Sequence, residues 1–256
     1  MALDTVQYLL GAVSGGLVGF TLGLVGGGGS ILAVPLMVYL VGVRDPHVAI
    51  GTSALAVAAN ALTGLASHAR AHTVKWRCGG LYAAAGIVGA FAGSTLGKMV
   101  DGQKLLFLFA LLMVGIGIVM LRGRRNQGVE GAQCTRENAP KVLGFGLATG
   151  GFSGFFGIGG GFLIVPGLIA STRMPIINAV GTSLMAVAAF GFTTALNYAA
   201  SGLVDWWLAL VFIGAGVGGG IAGTMAAHKL AGNRGQLTTI FACLVFVVAA
   251  YMLYRT

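Results

Sequence analysis

The stretch GLVGGGGSILAVP (residues 23–35) returns as GFFGIGGGFLIVP (residues 154–166), and these two appearances decide the fold. Gly26, Gly27, Gly28 and Gly29, followed by Ser30, cannot sustain a regular helix, because each glycine costs about 1 kcal/mol relative to alanine. The same holds for Gly157, Gly159, Gly160 and Gly161 in the second copy. The apolar segments beside each run hold roughly 12 to 16 residues, too few to cross a hydrocarbon core of about 30 Å comfortably as single helices. Each stretch therefore predicts a pair of half-helices joined by a broken turn inside a membrane. Broken backbone at that depth is tolerated only inside protein or beside a water-filled cavity. Half-helices starting at Ser30 and Phe162 would aim unpaired N–H groups and positive dipole ends at that cavity, which suits an anion. Glycines also permit tight helix crossing; the recurrence of a whole run at equivalent places favours the anion reading.

The similarity extends beyond the glycine runs. GTSALAV (51–57) matches GTSLMAV (181–187) at an offset of 130, one residue less than the offset of the glycine stretches. Trp76 pairs with Trp206, Gly86 with Gly216, Gly89 with Gly219 and Gly93 with Gly223 at that same offset. Matches in one order at a nearly constant offset indicate an internal duplication. Residues 1–121 form membrane repeat 1, residues 122–141 a cytoplasmic linker and residues 142–256 membrane repeat 2.

Composition places these repeats in a bilayer. The 256 residues are 57% hydrophobic and 8% charged, with a mean hydropathy of +0.91, whereas a soluble domain carries about 25% charged residues. Apolar segments fall near 5–24, 29–42, 47–68, 78–99, 104–121, 142–157, 161–172, 176–199, 205–228 and 236–254. The fold class expected is an all-α polytopic membrane protein. Its two repeats are inverted, each with a broken hairpin and three spanning helices. The net charge of +9 collects at segment ends, so it reads as topology and not as nucleic-acid binding. The loop at 69–77 carries Arg70, Lys75 and Arg77, whereas its counterpart at 200–205 carries only Asp205. With the basic loops and the linker inside, the counterpart loops lie on opposite faces and both termini lie outside. The N-terminus has no basic region before Arg44, unlike a cleaved signal peptide.

Polar residues on the third segment of each repeat could line a path through the membrane. Thr52 and Ser53 match Thr182 and Ser183. Ser53 and Asn60 share one helix face, as do Ser183, Thr194 and Asn197. The alternative for these groups is bonding to a neighbouring helix or to the preceding turn. Gly89, Gly93 and Gly97 form a packing ridge mirrored by Gly216, Gly219, Gly220 and Gly223, and Gly97→Ala, near a helix end, is expected to cost little. Cys78, Cys134 and Cys243 show no metal-ligand spacing and imply no disulfide framework. No carboxylate falls inside an apolar segment and no nucleophile elbow, HExxH or P-loop is present, so no catalytic residue, metal site or cofactor is expected. An enzyme is disfavoured on those grounds.

The doubled glycine stretch ending in Val-Pro, together with the doubled GTS segment, resembles the TauE/SafE sulfite-exporter family over essentially the whole chain. The resemblance implies a permease of the bacterial inner membrane for a small inorganic or organic sulfur anion, such as sulfite or sulfoacetate. Relatives that handle thiosulfate through cysteines near the pore are poorly matched, since all three cysteines lie away from the glycine motifs. Besides the anion, the partners expected are the lipid bilayer and, as an admissible assembly, a second copy in a homodimer, with no nucleic acid.

Overall fold

In the computed structural model, the described residues are 4–25, 27–122, 134–135, 137–229 and 234–255, and among them there is no strand. Helix α1 spans Thr5–Val25. After it the chain runs back as a tight 3-10 segment, Gly27–Leu32, a short α2, Ala33–Pro35, and a π-helical turn, Leu36–Leu40. The Gln7 side-chain amide donates to the Val41 carbonyl at 3.1 Å, tying the end of this return arm to the start of α1. Helices α3 (Pro46–Arg70), α4 (Trp76–Met99) and α5 (Gly102–Arg122) complete the first copy. The second copy repeats the order: α6 (Ala139–Phe156), the half-length α7 (Gly161–Thr172), then α8 (Ile176–Ala199), α9 (Trp206–Lys229) and α10 (Arg234–Arg255). Residue 26 and most of the 122–141 linker lie outside the described residues.

Local chemistry sets the ends. Asp45 caps α3 by accepting from the His47 N–H at 2.8 Å, and Pro46 sits in the first turn, where its missing N–H costs nothing. Asp205 accepts from the Leu208 N–H at 2.9 Å at the start of α9. Helix α6 stops at Gly157, whose φ of +67° is the left-handed cap that glycine adopts freely. Among the described residues, five helices are long and apolar enough to span a bilayer. Many of their large apolar side chains face outward, among them Leu9, Val88, Leu196, Leu210 and Ile221. A helix apolar on every face belongs in lipid.

The copies interlock. Helix α1 of the first packs along α9 of the second, and α6 of the second packs along α4 of the first. Both contacts are glycine seams at backbone distance. A Cβ on Gly15, Gly19 or Gly23 would meet the backbone of α9, and one on Gly89, Gly93 or Gly154 would meet backbone across the α4–α6 seam. The ridge glycines read from the sequence are thus packing positions, with partner glycines on α1 and α6. Gly97 corrects the expectation of tolerance, because a Cβ there would stand 2.6 Å from the Phe155 carbonyl oxygen. A second correction concerns the cysteines: Cys78 and Cys134 form a disulfide, with Cα atoms 5.4 Å apart. Their separation of 56 residues carries no local signature, and the fold alone brings them together.

Helices α3 and α8 are counterparts, and they cross antiparallel at the centre. Gly51 lies against Tyr198, Gly191 against Ala54 and Ala58, Gly64 against Leu184 and Gly181 against His68.

Candidate functional site

The second glycine stretch breaks the helix within the protein. Gly157, Gly159 and Gly160 all have φ between +63° and +67°, the left-handed region that favours glycine. This brings the start of α7 back against the central pair. A Cβ on Gly159 would stand 2.8 Å from a Val57 methyl and 3.3 Å from a Val187 methyl. Val57 and Val187 are counterparts at the 130 offset, so Gly159 sits where the two copies meet. Helix α7 begins from Gly160, whose carbonyl accepts from Leu163 and Ile164 at 2.9 Å. The N–H groups of Gly161 and Phe162 belong to the first turn and have no intrahelical partner. At 12 residues, α7 is about 18 Å long, well short of a bilayer core of about 30 Å. Its positive dipole end is therefore presented deep in the protein.

Sequence reasoning missed one residue here. Ser153, in the last turn of α6, has its side chain fully buried and its hydroxyl without a hydrogen-bond partner. Its Oγ lies 2.9 Å from where a Cβ on Gly160 would stand. A buried unpaired hydroxyl beside a helix N-terminus is poised to bond something the protein does not supply. The signal available was its place four residues before Gly157, where the first copy carries Leu22 at the equivalent position.

The first stretch is built differently. Gly27–Leu32 is a 3-10 segment and α2 holds three residues, so no ordinary helix N-terminus starts at Ser30. Gly29 packs against the backbone of Thr21 and Leu22, as Gly160 packs against Ser153. Ser30 is fully buried and has an interaction partner of its own. The 3-10 segment touches α7, so the two broken arms do meet. Gly26 lies outside the described residues. Gly27 and Gly28 fall within the 3-10 segment.

The hydroxyls of the third helices have local work. Thr52 Oγ1 accepts from the Asp205 N–H, and Thr182 Oγ1 accepts from the Lys75 N–H, each at 2.9 Å. Ser53 donates to the Ile50 carbonyl and Ser183 to that of Val180. All four are fully buried. Asn197 lies apart from the glycine motifs, near the end of α8. Its amide donates to Ser94 and Thr95 at 2.6 and 3.0 Å, and its oxygens accept from the Lys98 ammonium. Asn60, 2% exposed on α3, differs from all of these: neither atom of its side-chain amide has a partner.

A cavity of about 1490 Å³ opens at the end of the molecule where α3 and α9 begin, lined among others by Arg44, Asp45, His47, Lys98, Asp101 and Asp205. Charges of both signs alternate around it. The opposite end is one-sided. Among the described residues, chain connectivity puts the four aspartates at the mouth end and eight of the twelve Lys and Arg residues at the other, with Glu137 against them. Among the described residues no group of acidic, cysteine and histidine side chains could hold a metal ion.

A family model described as "Sulfite exporter TauE/SafE" matches residues 11–252. A "Probable membrane transporter protein" of Xylella fastidiosa strain 9a5c is 51% identical over 254 residues, covering 98% of this chain and 97% of its own. Two Bacillus subtilis relatives are more distant. The "Probable membrane transporter protein YdhB" is 28% identical over 210 residues, with 81% of this chain and 82% of its own covered. "YunE" is 25% identical over 262 residues, with 94% and 95% covered. No solved structure matches.

Proposed function

Because the chain belongs to the TauE/SafE sulfite exporter family, we propose that this membrane transporter exports a small sulfur-containing anion, sulfite or an organosulfonate such as sulfoacetate, across the bacterial inner membrane. The observation that carries the reading is the start of α7. Its first-turn N–H groups have no intrahelical partner, and the helix starts from Gly160, beside the unpartnered Ser153 hydroxyl, next to Gly159 where the two copies meet. Sulfite and sulfonates present several oxygens at short radius, matching N–H and O–H donors that converge on one point.

The charge distribution supports the direction. The basic end attracts anions and raises their local concentration, while the aspartate-bearing mouth does not. With the basic end in the cytoplasm, as retention of Lys and Arg inside requires, anions gather inside and leave through the mouth. The antiparallel packing of α3 on its counterpart α8 supports an inverted repeat, in which equivalent loops face opposite sides.

Flux of sulfite, sulfate, thiosulfate and sulfoacetate from proteoliposomes tests the reading directly. Saturable efflux of sulfite or sulfoacetate, above protein-free liposomes, is the expected result. Flux of none of the four would overturn it. A flux without saturation, at rates of an open pore, would replace the transporter by a channel.

A further inference from the structure

Aligning the copies at the 130 offset places Asn60 opposite Phe190, and Gly216 opposite Gly86. The contacts are mirrored as well: the Phe190 ring lies against Gly86 of α4, and the Asn60 amide lies against Gly216 of α9, with no room for a Cβ at either glycine. On the Phe190 side the arrangement is closed. The ring stacks on Tyr82 with centroids 6.3 Å apart, and the Tyr82 hydroxyl bonds Thr149 at 2.8 Å. On the Asn60 side the equivalent place holds a fully capable amide, two N–H donors and an acceptor oxygen, none of them bonded.

Burying an unpaired amide is costly, and an apolar residue demonstrably fits the mirrored position. Asn60 also follows Val57, the residue that faces Gly159, by three positions on α3, one turn along the same helix. The other buried, unpartnered hydroxyls near the centre share this one-sidedness: Ser153 is opposite Leu22, and Thr194 is opposite Gly64. At these unpartnered polar groups the duplication has kept its packing and given up its symmetry.

We infer that Asn60 contacts the transported anion and sets its specificity, so that the conducting face of the central axis lies between α3 and α9 while Phe190 and Tyr82 seal the face between α4 and α8. The inference rests on the transport reading above. Its chemistry is an oxyanion accepting hydrogen bonds from the Asn60 Nδ2 group.

Asn60→Leu is the discriminating variant, because it keeps the branching of the side chain and replaces its unpaired polar atoms with methyl groups. The readouts are sulfite efflux from proteoliposomes and the melting temperature of the same purified protein. Asn60→Leu should melt at or above the wild-type temperature while losing about tenfold or more in efflux, the factor expected when a hydrogen bond to a charged group is removed. Asn60→Gln, which can still donate, should recover part of the flux, and Phe190→Leu should shift the selectivity between sulfite and sulfoacetate much less than Asn60→Gln does. Asn60→Leu with wild-type efflux overturns the inference and leaves the transport reading intact. Loss of flux with an equal fall in melting temperature in both Asn60 variants makes the residue structural and overturns it as well. A wild-type protein that moves neither anion removes the transport reading and this inference together.

Discussion

Thr52 accepts a hydrogen bond from the backbone N–H of Asp205, and the same bond recurs between Thr182 and Lys75, both at 2.9 Å. In each case a threonine in the first turns of a central helix holds the loop that leads into the next helix of the other copy's seam. The two bonds are counterparts at the 130 offset for donor and acceptor alike. The duplication is thus written into side-chain geometry as well as sequence.

Removing either threonine hydroxyl should therefore destabilise without touching transport. Thr52→Val or Thr182→Val leaves a loop N–H unpaired, at a cost of about 1–3 kcal/mol. The two sites lie at opposite ends of the α3–α8 pair, so the double variant should show the sum of the single effects within about 0.5 kcal/mol. Denaturation of the purified variants checks the sizes. A threonine variant of normal stability that no longer moves anions would return these hydroxyls to the transport path.

The seams make a second, graded prediction. Gly89→Ala and Gly19→Ala place a Cβ on the backbone of the facing helix, with no flexible side chain to yield. Overpacking of this kind costs about 1–3 kcal/mol, and Gly97→Ala belongs to the same group. Gly144 and Gly218 have nothing within 4 Å of the added atom. Alanine there should be neutral, or stabilising by up to about 1 kcal/mol through the loss of glycine's freedom in the unfolded chain. Melting temperatures of the five variants should fall into these two groups. Equal effects would mean that the seams are not backbone contacts.

Those seams show what the sequence could and could not reveal. The glycine ridges on α4 and α9 stand out at four-residue spacing, and their packing role could be read directly. Their partners on α1 and α6 could not, because matching an element of one copy to the other needs the interlocking itself. The doubled break was legible from Gly26–Ser30 and Gly157–Gly161, since a glycine run opposes helix wherever it falls. The difference between the copies was not: glycine runs that differ only at Gly27 against Ile158 and Ser30 against Gly161 give a true helix start at α7 and a 3-10 segment at Gly27–Leu32. Ser153 escaped notice because a lone serine near a helix end is commonplace. Only its burial and its missing partner single it out.

Orientation is open to a direct test. With the native cysteines replaced, a single cysteine at position 126, in the linker between α5 and α6, should be protected from an impermeant reagent in intact cells. One at position 202, in the loop before α9, should react at once. Rapid external labelling at 126 would reverse the orientation, and with it the direction of export.

The energetics of the proposed export follow from charge. A monoanion leaving a cell with a negative interior gains about 2.3 kcal/mol per 100 mV, so no coupled proton is required. Efflux from proteoliposomes should rise with an imposed potential that is negative inside and change little with a pH gradient at zero potential. Strict dependence on the pH gradient would instead require a proton to be coupled to the anion.

The start of α7 carries the last prediction. Valine at Gly160 would fill the space beside the helix N-terminus, yet Gly160 has φ of +66° and a Cβ there would stand 2.7 Å from that of Ser153. Gly160→Val should therefore lose transport and stability together, which makes it a poor witness for a binding role. Ser153→Ala is the cleaner probe. It deletes a buried hydroxyl that bonds nothing in the protein, so the melting temperature should hold or rise slightly. If the hydroxyl donates to the anion, its loss should weaken binding by about 1.5–3 kcal/mol, a factor of roughly 10 to 150. The loss should appear as a higher half-saturating concentration of sulfite. Ser153→Thr, which keeps the donor but adds a methyl group in a crowded place, should retain more affinity than alanine and less stability. Ser153→Ala with unchanged affinity would remove Ser153 from the site and leave α7 without the neighbour that marks it out from the return arm of the first copy.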